Sequence, residues 1–185
     1  MRRSWVIAVA AMAFAAGCGD GVETAAAPSP SPAAARRMTV TSTAYADRGT
    51  IPRRYTCDGA DVSPPLSLAG VPAGTASLAL LLRDADAAHG RFTHWLVWDI
   101  DPHTRRLSAG EHPRGAAEGR NDFGRTGYGG PCPPRGDRAH HYVLTVYAAD
   151  RRVSPGAGAT SADLLRALSG HTLAVGVLMG RYGRG

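Results

Sequence analysis

The chain has 185 residues, 44% of them hydrophobic and 19% charged, which suits one domain with a core and excludes whole-chain disorder. All 21 basic residues are arginine, against 15 acidic ones, for a net charge of +6. Without lysine there is no Schiff base, no Walker-type phosphate loop and no Ser-Lys dyad, and the scattered arginines form no basic stripe for nucleic acid.

Residues 1–17 open with Arg2 and Arg3 and continue as a short apolar run from Trp5 to Ala16. The run is too short to span a bilayer and fits the core of a signal peptide. Small residues then lead into Cys18. That arrangement resembles a bacterial lipobox, in which Cys18 is acylated and becomes the new N-terminus. It departs from the usual pattern in having Ala15 where leucine is common; a plain secretory signal is the alternative. A diacylated (palmitate-type) cysteine supplies two chains, enough for stable anchoring. Residues 18–37 are rich in Ala, Pro and Ser, cannot bury a core, and read as a tether. The folded domain is expected over 38–185.

Within it, 38–45 alternates Thr or Ser with apolar residues and reads as a half-buried strand. Residues 47–65 are turn-rich. Strands are expected at 77–86 and 91–100, the second with Phe92, His94, Leu96, Trp98 and Ile100 on one face. Residues 101–136 form a long glycine-rich irregular run, a length that points to function or disorder. Further strands are expected at 140–150 and 172–182, with one helix at 160–171 capped by Thr160 or Ser161 and stopped at Gly170. Several strands, one short helix and long Gly/Pro loops imply a mainly β, antiparallel sandwich.

Cys57 and Cys132 lie in Gly/Pro-rich turns with no CxxC or zinc-finger spacing. Outside the cytoplasm they are expected to form a disulfide that pins the two turns together; two free buried thiols are the alternative. No metal or cofactor is expected. Standard catalytic motifs are missing, including G-x-S-x-G, H-E-x-x-H and a strand-borne G-x-G-x-x-G.

Three segments suggest a site: Asp84-Ala85-Asp86, Phe92-Thr93-His94-Trp95, and Tyr128 to Pro134 followed by His140-His141-Tyr142. Each alone has a bland reading as turn or core. Together they offer acids, imidazoles, aromatics and backbone amides freed by glycine turns, the ingredients of an anion pocket. These segments, with Tyr55 to Gly59, Ser63-Pro64-Pro65 and Gly119 to Gly124, closely resemble the phosphatidylethanolamine-binding protein family, in its bacterial Raf-kinase-inhibitor-like branch. The resemblance covers about residues 38–182. It implies an antiparallel β-sandwich with a small pocket for phosphate-like anions and phospholipid head groups. Carried over motif by motif, the ligand-binding residues would be Asp84, Asp86, His94, Gly130, Pro131, His140 and Tyr142. Amides near Gly130 would donate to anionic oxygens, and His94 and His140 would add donors and, when protonated, charge. Asp84 or Asp86 would orient an imidazole or accept from an ammonium, and Tyr142 and Phe92 would form walls. Ala85 and His141 depart from the usual residues there, and with Gly185 soon after the last strand the C-terminal helix of eukaryotic members is expected to be absent.

The leading expectation is a non-enzymatic, lipid-anchored binding protein of the cell envelope, tethered through Cys18 on the extracytoplasmic face. Its partner would be a phosphate-type anion or phospholipid head group. A second reading is an inhibitor of an envelope enzyme such as a protease. A third is a hydrolase or metal enzyme built on Asp84, Asp86, His94 and His140.

Overall fold

The computed structural model describes residues 35–88 and 90–185. The signal peptide, Cys18 and nearly all of the tether lie outside them. Ten strands and one helix follow in order: β1 (Arg36–Arg37), β2 (Thr39–Thr41), β3 (Gly49–Thr50), β4 (Leu66–Ala69), β5 (Ser77–Asp84), β6 (Phe92–Ile100), β7 (Arg106–Leu107), β8 (Ala117–Glu118), β9 (His140–Ala149), α1 (Ser161–Leu168) and β10 (Thr172–Tyr182).

The strands form two sheets. The larger runs β1-β10-β9-β5-β6-β8, with β3 also on β10, and the smaller runs β2-β4-β7. All pairs are antiparallel except β1 and β3, which join β10 in parallel. Arg36 and Arg37 therefore already belong to the large sheet, two residues ahead of the boundary expected at 38. The long strands match the sequence reading within a few residues. The strand expected over 38–45 keeps only 39–41; three short strands (β3, β7 and β8) appear in segments read as turns or irregular chain, and β4 in a stretch given no assignment. Pieces of two to four residues carry too little alternation to stand out.

Two cores result. The inter-sheet core joins Val40, Leu66, Leu68 and Leu107 to Leu80, Leu82, Val97, Leu144 and Leu178 of the large sheet. It is closed at β10 by close approach: a Cβ on Gly180 would collide with the side chain of Ile51. The second core lies on the sheet's outer side, where α1 presses Leu164 and Leu168 toward Leu81, Leu96 and Trp98. Thr160 caps α1 in a reciprocal box with Asp163, which satisfies amides the first turn leaves unpaired.

Strand β6 departs from simple alternation twice. Leu78 pairs with Ile100 but Leu80 pairs with Val97, so β6 holds an extra residue. Asp99 takes a left-handed φ of 59° there and is held by Arg152. The bulge moves Ile100 off the face shared by Leu96 and Trp98 and into the inter-sheet core beside Trp95 and Val97. At the other end Leu82 pairs with Trp95 and Arg83 with Thr93, leaving His94 as the second extra residue.

Candidate functional site

The second bulge shapes the site. Two adjacent residues of a bulge point to the same side of a sheet, so His94 turns with Trp95 toward the inter-sheet side and away from Leu96. There its ring meets Tyr142 at 5.2 Å between centroids, edge to face. Asp84, at the end of β5, and His140, at the start of β9, come to the same side. The register aligning Asp84 with Tyr142 fixes their neighbourhood.

These residues open on one cavity of about 270 Å³. Its polar lining is Asp84, Asp86, Asp137, His94 and His140, and its apolar walls include Phe92, Phe123, Pro133 and Pro134. Two other concavities, of about 250 Å³ beside Asp99 and Arg152 and about 410 Å³ beside Arg36 and Val177, have no imidazole in their linings.

Each imidazole is anchored by one nitrogen. His94 Nδ1 lies 2.7 Å from the carbonyl oxygen of Gly129 and 3.1 Å from that of Gly130. Carbonyls only accept, so Nδ1 carries the proton and donates to both. Burial pulls the His94 pKa below the usual 6.5, against the raising effect of those carbonyls and of Asp84. His94 is therefore held neutral, and its Nε2 presents a lone pair. The expectation that it supplies a donor and positive charge gives way to an acceptor role.

His140 donates Nδ1–H to Asp84 Oδ2 at 2.7 Å, with both side chains almost wholly buried. Its Nε2 stands 3.7 Å from Asp137 Oδ2. With Nδ1 committed to Asp84, any further proton on His140 sits on Nε2, where it makes a charged donor beside the cavity. The other oxygen of Asp84 accepts the Asp86 amide at 2.8 Å.

Asp86 has a different task. Its carboxylate accepts from the backbone and the ring of His141, at 2.8 and 2.7 Å, and from Arg138 at 2.9 Å. The His141 amide is the largest of several contacts that hold its carboxyl below the usual carboxylate range. Asp86 touches the cavity but leaves little capacity for a ligand.

Gly130 and Pro131 stand behind the cavity rather than in its lining. The Gly130 amide donates to Asp61 Oδ1 at 2.6 Å, so it is not free for an anion; its carbonyl serves His94 instead. The Pro131 carbonyl accepts from the Cys57 amide, and Cys57 and Cys132 are joined by a disulfide across 75 residues. Tyr128 adds a hydrogen bond to the Tyr55 carbonyl at 2.7 Å. The loop carrying the His94 acceptors is thus stapled to the 55–61 turn. Tyr142 lies beneath the site, fully buried, with no hydrogen-bond partner for its hydroxyl among the described residues. Burial, then the Asp84 carboxylate, push its phenol well above the ordinary tyrosine range.

Reading the sequence missed Asp61, the lock on Gly130, and Asp137, three residues before His140. It also gave no specific role to Phe123. That ring is 43% exposed at the cavity wall and packs on Phe92 and His94 at 4.8 and 5.3 Å. An exposed aromatic within a glycine-rich loop was the available signal.

Comparison with known proteins agrees with this architecture. Residues 41–183 match the family model described as phosphatidylethanolamine-binding protein. A UPF0098 protein of Pyrococcus abyssi is 42% identical over 154 residues, 80% of this chain and 86% of the relative. A protein of Mycobacterium tuberculosis named as a candidate lipoprotein, LppC, is 39% identical over 147 residues, 77% of this chain and 73% of the relative. A solved structure from Chlamydia trachomatis, described as a phosphatidylethanolamine-binding protein homologue, superposes with a TM-score of 0.76 at 36% identity. It covers 82% of this chain and 100% of its own.

Proposed function

The chain belongs to the phosphatidylethanolamine-binding protein family, and from that premise we propose that it is a lipid-anchored binding protein of the cell envelope whose cavity takes a phosphate-type head group. The observation that carries this reading is the pair of buried imidazoles, each anchored through Nδ1, at a single small cavity. With Nδ1 engaged by Asp84, His140 Nε2 is the ring nitrogen left to meet an anionic oxygen. Neutral His94 accepts from a hydroxyl of hydrogen phosphate or from an ammonium N–H. The Phe92, Phe123 and proline walls exclude water and strengthen both contacts. The envelope location draws support from the Cys18 motif, from the disulfide, which suits an oxidising compartment, and from the name of the mycobacterial relative.

Titration calorimetry with inorganic phosphate and with phosphoethanolamine tests the cavity. His94→Ala and His140→Ala are each expected to weaken binding about tenfold or more while keeping the circular dichroism of the parent, since each loses a buried polar contact of about 1.5–3 kcal/mol. Affinity unchanged in both variants would reject the cavity as the binding site.

A further inference from the structure

Among the described residues, the outer face of the large sheet is covered more completely on one half than on the other. Over β5 and β6, α1 and Val153 bury Leu81, Leu96 and Trp98. Over β9 and β10 the described residues leave the same face more open, although Thr145 is buried and Tyr147 packs against the α1 core. Val143 pairs with Met179, Thr145 with Val177 and Tyr147 with Val175, while the intervening Leu144, Val146 and Leu178 enter the inter-sheet core. Strand alternation therefore turns the first set outward. Val177 at its centre is 50% exposed.

Arginines frame this apolar strip. Arg37 pairs with Val175, Arg83 pairs with Val143, and Arg181 continues β10 beyond Met179. None of positions 83, 143, 145, 147, 175, 177, 179 or 181 is a carboxylate, and among the described residues the one acid bonded to the strip is Asp47, which accepts from the Met179 amide at its border. A shallow groove of about 410 Å³ runs between Arg36, Arg37, Met38, Val175 and Val177, and it starts at Ala35, where the described chain begins.

We propose that this face docks the domain on an anionic lipid surface. The inference rests on the reading of Cys18 as the membrane anchor. The 17 residue-to-residue steps from Cys18 to Ala35 can span at most about 60 Å. A domain anchored at Cys18 is therefore kept within about 60 Å of the bilayer, and its described chain begins beside this strip. Apolar centre and cationic frame match an interface whose surface carries negative lipid and whose interior accepts valine and methionine. A second copy of the chain would set arginine against arginine, which disfavours self-association through this face.

The test uses the chain from residue 18 on, carrying Cys18→Ser so that no acyl chain contributes, sedimented with vesicles. Vesicles containing phosphatidylglycerol are expected to retain it at least tenfold better than pure phosphatidylcholine. Val177→Asp, a change of one charge, is expected to weaken retention about fivefold, and Arg37→Glu, a change of two, about twenty- to thirtyfold. Arg37 is exposed, so its variant tests the face even if Val177→Asp folds poorly. Saturating phosphoethanolamine, which occupies the cavity, is expected to leave retention in place. Equal retention on both vesicles overturns the proposal, as does unchanged retention of Arg37→Glu, or a dimer in ultracentrifugation that Val177→Asp dissociates. Retention abolished by phosphoethanolamine would also overturn it, placing the contact in the cavity. Mass analysis of the Cys18 peptide from native envelopes reads the anchor separately, so its failure is not confused with failure of the face.

Discussion

Asp84 with His140 and Asp86 with His141 are the same chemical pair built twice, within three residues along one stretch and side by side along the other. Both pairs place imidazole Nδ1 2.7 Å from a carboxylate oxygen. Their surroundings separate them. The first pair has side-chain exposures of 7% and 6%, while His141 in the second is 41% exposed and Asp86 is shared with Arg138. Strand alternation is the cause: His140 faces the inter-sheet side with Tyr142, and His141 faces out beside its β10 partner Arg181. Identical contacts thus make a preorganised ligand group in one place and a surface clasp in the other.

The sharpest way to break the comparison is to delete each carboxylate. Asp84→Ala leaves His140 buried without its acceptor and frees the Asp86 amide as well. Removing one partner of a buried pair costs about 3–5 kcal/mol. Urea unfolding is therefore expected to show a loss of about 3 kcal/mol, with head-group binding abolished. A loss below about 1 kcal/mol would place the two pairs on one footing and remove the structural basis for assigning His140 to the cavity.

The sequence disclosed this site unevenly, for physical reasons. Asp84, His94 and His140 lie in segments whose resemblance to a known family was legible, and the long strands carrying them announce themselves by apolar runs. Gly130 was misjudged because the group that takes its amide, Asp61, is 69 residues away and reaches it only through the stapled loops. Ile100 was placed on the wrong face because a bulge at Asp99 depends on pairing with β5 and on Arg152, neither of which is local. Asp137 was missed because an acid in a Gly/Pro turn looks like solvated chain until β9 brings His140 beside it.

A smaller effect concerns the pH dependence of His94. His94 has its pKa lowered by burial from the usual 6.5, so the unfolded chain takes up a proton there before the folded one does. Its contribution to stability is full above pH 6.5 and is lost as pH falls below that value. His94→Gln, which keeps a donor for the glycine carbonyls, is expected to show a flatter stability curve between pH 7 and 5 than the parent. Parallel curves in that range would mean that His94 is not held neutral by the fold, and the acceptor role of Nε2 would fall with it.

The smallest expected effect falls on the outer pair. Asp86→Ala removes contacts to His141 and Arg138, both well exposed, and ion pairs of that kind contribute about 0–1 kcal/mol. Its lowered pKa fixes the direction: the contribution is present above the ordinary carboxylate range and is lost as pH falls through the depressed value. At neutral pH the variant is expected to lose less than about 1 kcal/mol in urea and to bind phosphoethanolamine within about twofold of the parent. Because Asp86 also touches the cavity, the binding half of this measurement is the more searching. A tenfold loss of affinity with little loss of stability would show that this carboxylate meets the ligand after all, so that both pairs serve the cavity and burial is not what divides them.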